Sequence, residues 1–207
     1  MKLAMVTPFP QTAELISGGV ESVSCNLVES LSRIESIEIH VLAPSEVRQV
    51  TTEHRDGITI HWIPNPRIPG FLGYWSAFRK ALHRKLHEIQ PDLTHFQGLG
   101  GWTLSYRRPY VFTIHGIPEN DARFSKRWFC GSRSQLIAFV ERLGRQKSPD
   151  IIIINPYVMS ELGTQLKGRV WHIENPIARD FFAVERTAFT PLILYAGRIS
   201  QRKNVLG

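Results

Sequence analysis

Three short stretches of this chain put residue types that can do chemistry where a ligand could reach them. In TPFPQTAELISGGVES, the pair Gly18-Gly19 directly precedes a helical pattern. Two residues without side chains let backbone approach a ligand closely, and a helix N-terminus offers unpaired N–H groups to an anion. The spacing is not GxGxxG, however, and a Gly-Gly pair before a helix is very often only a turn. In FTIHG, His115 and Gly116 close an apolar run. An imidazole there either donates a hydrogen bond to a polar substrate or is a partly buried ring bonded to backbone. In AGRISQRK, Arg198 follows another apolar run and Lys203 stands five positions on. A forked guanidinium and a compact ammonium at one turn can straddle a diphosphate, although such a turn is more often plain surface. Other groups carry less. His95, inside DLTHFQ, reads as structural; His83 and His87 share a helix face without the HExxH pattern of a metal site; Cys25 and Cys130 give neither a disulfide framework nor zinc spacing.

Positioning these residues requires strands, because in open α/β sheets ligands sit at the strands' carboxyl ends. Apolar runs alternate with helical stretches, which predicts parallel βαβ units rather than a sandwich or a bundle. KLAMV (2–6) reads as the first strand, and Val20, Val23, Leu27, Leu31 and Ile34 form one stripe of a helix over 20–34. Strands are expected at 37–44 and 57–64. A helix follows with the seam Trp75, Phe78, Leu82, Leu86 and Ile89. Strands at 92–97 and 109–115 precede a basic helical region over 119–147. The strand DIIII (150–154) leads to a short helix that Asn155 caps and Pro156 opens. A short strand at 169–176 and a last one, LILYA (192–196), complete the pattern. Fully apolar strands are buried on both faces, so helices should cover both sides of a doubly wound, mostly parallel α/β sheet.

The net charge of +7 is unevenly spread. Residues 1–60 carry 4 Lys/Arg against 8 Asp/Glu, whereas residues 61–147 carry 14 against 5. Such a belt favours anionic partners or is simply a solvated positive surface. No run approaches a membrane span, and MKLAMVTPFPQ is too short and Pro-broken for a signal core, so a cytoplasmic setting is expected. Aromatic residues lie mainly at core spacing and no RNA or DNA motif is present, so nucleic acid is not an expected partner.

Taken in order, GGVE in the first loop, HG after a mid-chain strand, IENPI followed by DFF, and YAGRISQRKN resemble the retaining glycosyltransferases of the GT-B fold, specifically glycosyltransferase family 4, over essentially the whole chain. The resemblance implies two Rossmann-like domains facing one another across a cleft. Residues 1–188 would be the N-terminal, acceptor-side domain, and 189–207 the first strand and basic turn of a truncated C-terminal nucleotide-sugar-binding domain. It implies that Gly18, Gly19 and Glu21 belong to the loop near the donor diphosphate and acceptor. His115, with Gly116 beside it, would hydrogen-bond the transferred sugar, while Arg198 and Lys203 neutralise the diphosphate. Asn204 departs from the glycine that many family members have after the lysine. No cofactor is implied beyond a nucleotide-diphosphate sugar as co-substrate, and no metal, since the cations take its place. The implied partners are that donor, a glycan or lipid-linked acceptor, and an anionic membrane met through Trp75, Arg79, Arg84 and Lys85 or the stretch 123–133. Two other readings stay open: a nucleotide-sugar epimerase of the same architecture, and a non-catalytic α/β module for anionic ligands. The GGVE loop and the basic turn favour the transferase over the epimerase.

Overall fold

The structure is a computed structural model that describes residues 1–12, 15–65, 71–123, 130–185 and Tyr195, with backbone alone at 71–76, 121–123 and 130–133. Eight strands form one sheet: β1 (Lys2–Val6), β2 (Glu38–Ser45), β3 (Thr51–Arg55), β4 (Ile58–Pro64), β5 (Leu93–Gln97), β6 (Tyr110–Ile114), β7 (Asp150–Ile153) and β8 (Arg169–His172). Their order is β3-β4-β2-β1-β5-β6-β7-β8, and every pairing is parallel except that of β3 with β4. From β1 the chain winds outward through β2 and β4, then crosses back to lay β5 on the other side of β1. The β1/β5 boundary is therefore the point at which the winding reverses, where doubly wound sheets place their ligands.

Helices α1 (Gly19–Ser32), α2 (Phe71–Ile89), α3 (Pro118–Arg123), α4 (Cys130–Lys147), α5 (Pro156–Leu162) and α6 (Asp180–Ala183) complete the described fold, with single 3-10 turns at Gly100–Thr103 and Gly163–Gln165. Alternation along the central strands sends side chains to two separate cores. Leu3, Met5, Ile39, Val41 and Ile60 face α1 and pack with Val28. Ala4, Val6, Leu42, Phe96 and Phe112 face the other way, against Phe78, Leu82 and Leu86 of α2 and Val158 and Leu162 of α5. The expected α/β architecture with both faces covered is thus present. No helix among the described residues is long and apolar enough to cross a membrane.

Local departures have physical causes. The edge strand β3 is absent from the sequence expectation; it joins β4 through Asp56 (φ 49°) and Gly57 (φ 79°), both in the left-handed conformations that a two-residue hairpin turn demands. The region 119–147, expected to be basic and helical, holds α3 and α4 on either side of residues 124–129, which lie outside the described residues. At α5 the expected cap forms: the Asn155 side chain accepts from the Val158 N–H at 3.2 Å, with Pro156 opening the helix. The strand expected at 192–196 and the domain boundary at 188/189 lie outside the described residues, Tyr195 aside.

Candidate functional site at the carboxyl edge of the sheet

Parallel pairing of β1 with β5, and of β5 with β6, brings three carboxyl ends side by side. The Gly18-Gly19 loop leaves β1, Gln97 ends β5, and His115-Gly116 leave β6. Strand spacing puts the ends of β1 and β6 about 10 Å apart with β5 between them. The loops that follow β1 and β6 therefore leave the sheet on either side of the β5 end.

The first loop is held from both sides. Thr7, just past β1, meets Ser24 of α1 at 2.5 Å between hydroxyls, and Ser24 also donates to the Val20 carbonyl at 2.8 Å. Gly18 is the N-cap residue of α1 and Glu21 occupies its first turn. The Glu21 carboxylate turns back to accept from the Ser17 N–H at 2.6 Å and the Ser17 hydroxyl at 3.0 Å, so it braces the loop it belongs to. A carboxylate in the first turn also suits the positive end of the helix dipole.

Space separates the site glycines from the packing glycines. A Cβ placed on Gly18, Gly19 or Gly116 would meet nothing within 4 Å, and none of the three has a left-handed φ. Neither crowding nor backbone conformation among the described residues asks for glycine at these positions. By contrast, a Cβ on Gly144 would lie 2.2 Å from the Gly100 carbonyl oxygen, and one on Gly168 2.1 Å from that of Ser148. Those glycines let backbones touch; the three at the carboxyl edge leave free room over a loop and a helix start.

His115 is half-buried, and its Nε2 lies 3.1 Å from Oε1 of Gln97. Burial pushes its pKa down to about 4, so the ring is neutral at pH 7. His95, on the same face of β5 as Gln97, is buried, bonds Thr113 at 2.7 Å and is likewise pushed down to about 4 by burial. It is the structural histidine that its mid-strand place suggests. His83 bonds the Trp102 carbonyl at 2.9 Å and packs on Tyr106, away from this edge. No group of His, Cys, Asp or Glu among the described residues could hold a metal ion. Arg198 and Lys203 lie outside the described residues.

Sequence reasoning missed Gln97 and Glu141. Gln97 is 1% exposed, and its Nε2 has no hydrogen-bond partner among the described residues. Its signal was its place as the last residue of β5. Glu141, on α4, accepts from the Gly100 N–H at 2.8 Å, and burial pushes its pKa up to about 7. Beside it, Arg145 is 1% exposed and pairs with Glu119, so one cation of the basic belt is a buried ion pair rather than surface. Lys85 is paired with Glu88 at 3.0 Å, which leaves Lys80 and Arg84 as the exposed cations of α2. A cavity of about 470 Å³ lined by Tyr106, Arg107, Arg108 and Lys147 opens at the opposite, amino end of β6 and β7. None of the residues gathered at the carboxyl edge lines it.

Comparison with known proteins follows the same lines. A family model described as Glycosyltransferase Family 4 matches residues 17–181. No curated protein matches the chain in sequence. Among solved structures, the chain is similar to sucrose-phosphate synthase from Thermosynechococcus elongatus (TM-score 0.57, 13% identity, 84% of this chain and 47% of that one). It is similar also to the catalytic domain of starch synthase IV from Arabidopsis thaliana bound to ADP and acarbose (TM-score 0.51, 14% identity, 86% and 52%). A third is a glycosyltransferase from Rickettsia africae (TM-score 0.51, 13% identity, 87% and 44%). The chain spans about half the length of these structures, and at such identity the likeness is one of fold.

Proposed function

The chain belongs to Glycosyltransferase Family 4, and from that premise we propose that it is the acceptor-side, amino-terminal part of a retaining glycosyltransferase. The reaction moves a sugar from a nucleotide-diphosphate donor to a glycan or lipid-linked acceptor. One arrangement supports this reading: the loop carrying Gly18 and Gly19 follows β1 and the neutral His115 follows β6, two strands that flank β5 beside the reversal of the winding, with free space over Gly18, Gly19 and Gly116.

In this reading the first turn of α1 offers N–H groups to the donor diphosphate, and the bare loop lets donor and acceptor approach. His115 bonds a hydroxyl of the transferred sugar. As the anomeric C–O bond breaks, its electron pair passes to the diphosphate and the sugar takes on oxocarbenium character. The acceptor hydroxyl adds from the same face, and its proton goes to the departing phosphate oxygen. Fixed cations stabilise that leaving charge, the role we give Arg198 and Lys203. With those two charges in place the scheme needs no metal. Lys80 and Arg84 on α2 suit peripheral contact with an anionic inner membrane face, where a lipid-linked acceptor would be met.

Because the chain spans about half of its structural relatives, the test compares this chain with the full-length coding product, screening nucleotide-sugar hydrolysis and transfer. The full-length product is expected to turn over a nucleotide sugar, the 207-residue chain alone is not, and His115→Ala lowers turnover at least about a hundredfold. A full-length product that binds an anionic ligand, turns over none of the donors and is indifferent to His115→Ala would make this a binding module instead.

A further inference from the structure

Gln97 is an odd residue for its position. It is 1% exposed, it ends a strand whose preceding residue Phe96 is core, and its Nε2 is a buried donor without an acceptor among the described residues. An aliphatic side chain would fill the same volume without stranding an N–H, so the fold gains little from an amide here. What the amide does make is one contact, from Oε1 to Nε2 of His115 at 3.1 Å.

A carbonyl oxygen only accepts, so with the Gln97 Oε1 facing Nε2 that nitrogen carries the proton, whereas the flipped amide would donate to Nε2 and leave the proton on Nδ1. A neutral imidazole with its hydrogen on Nε2 has a bare lone pair on Nδ1, and Nδ1 has no partner among the described residues. We infer that Gln97 is a positioning residue that fixes His115 as the Nε2–H tautomer, leaving Nδ1 to select a hydrogen-bond donor on the ligand. The sugar hydroxyl expected beside His115 fits, whereas a phosphate oxygen, which can only accept, does not. This reverses the sense expected from sequence, in which His115 donates. His95 is the titratable neighbour of His115, and its Nε2 is engaged by Thr113 rather than by the ligand side. The inference rests on the glycosyl-transfer reading for the identity of the ligand, but not for the tautomer.

The experiment records long-range ¹H–¹⁵N correlations of the histidine rings in the labelled 207-residue chain at pH 7. The expected result is a protonated Nε2 and bare Nδ1 at His115. Gln97→Leu should shift the ring toward the other tautomer or a mixture. Gln97→Glu, which keeps an acceptor in place, should preserve the pattern and raise the His115 pKa by at least about two units. An Nδ1–H tautomer in the native chain overturns the inference, as does an unchanged spectrum in Gln97→Leu. Should Gln97→Leu not fold, the native spectrum and Gln97→Glu decide. Turnover by the full-length product is scored separately. The Nε2–H tautomer without any turnover upholds the positioning role and removes the glycosyl-transfer reading; turnover with the wrong tautomer does the reverse.

Discussion

Replacing Gly19 by alanine should strengthen the fold and weaken the site in the same molecule. Gly19 is the first residue of α1, with no left-handed φ and nothing within 4 Å of the place an alanine methyl would take. Alanine restricts the unfolded chain and favours the helix, so the gain in stability is ~0.5 kcal/mol, below the interior-helix value because the position is terminal. On the proposed reading, the methyl would sit in the room where backbone N–H groups meet the diphosphate. Displacing one charge-assisted hydrogen bond there costs ~1.5–3 kcal/mol, a ten- to hundredfold loss of affinity. The opposite signs make the test discriminating: urea midpoints report the fold, and calorimetric titration with pyrophosphate reports the site, both on the same preparations. If Gly19→Ala lowers the midpoint, the fold itself needs the glycine. If affinity for pyrophosphate is unchanged while the midpoint rises, the space over the loop is only solvent and the functional argument for the glycine pair is lost.

The other perturbations use different parts of the structure. Gly144→Ala must push α4 off the Gly100–Thr103 turn, because its Cβ would lie 2.2 Å from a backbone oxygen. Overpacking of ~1–3 kcal/mol, only partly offset by helix propensity, should lower the urea midpoint, and an unchanged midpoint would contradict the contact. Double reversal of the exposed cations, Lys80→Glu with Arg84→Glu, should cut binding to phosphatidylglycerol vesicles at least tenfold, since each charge near an anionic surface contributes ~1 kcal/mol. Co-sedimentation showing no preference for acidic over neutral vesicles in the native chain would remove the membrane contact. Glu141→Gln should stabilise the protein increasingly as pH rises. The native carboxyl, pushed up to about 7, keeps a proton that the unfolded chain releases near the ordinary 4.5, so this group's contribution is fully present below 4.5 and is lost as pH rises through 7. The loss reaches at most ~3 kcal/mol, and the glutamine variant avoids it. Urea midpoints that differ between the two proteins by the same amount at pH 5 and pH 8 would refute the shift.

How legible these features were depended on whether the determining interaction was local. The parallel sheet was readable because strands such as β1, β2 and β4 carry their burial in their own apolar runs. The α5 cap was readable because Asn155 and Val158 are three residues apart. The β3 hairpin also had a local signal in Asp56-Gly57, but the strand itself, Thr51-Thr52-Glu53-His54-Arg55, is polar, as an edge strand can be, and its pattern does not announce burial. Gln97 and Glu141 owe their roles to partners 18 and 41 residues away, His115 and Gly100, and no window of sequence contains both ends of either contact. Glycine is the hardest case, because Gly18 and Gly144 are the same letter in opposite surroundings: one has free space over it and the other lets two backbones meet. A motif search sees only the letter. The space around the missing Cβ separates the two: Gly57 is accounted for by its left-handed φ, whereas Gly18, Gly19 and Gly116, which lie on the segments after β1 and β6, have neither crowding nor a left-handed φ to account for them, and on the proposed reading a ligand supplies the neighbour.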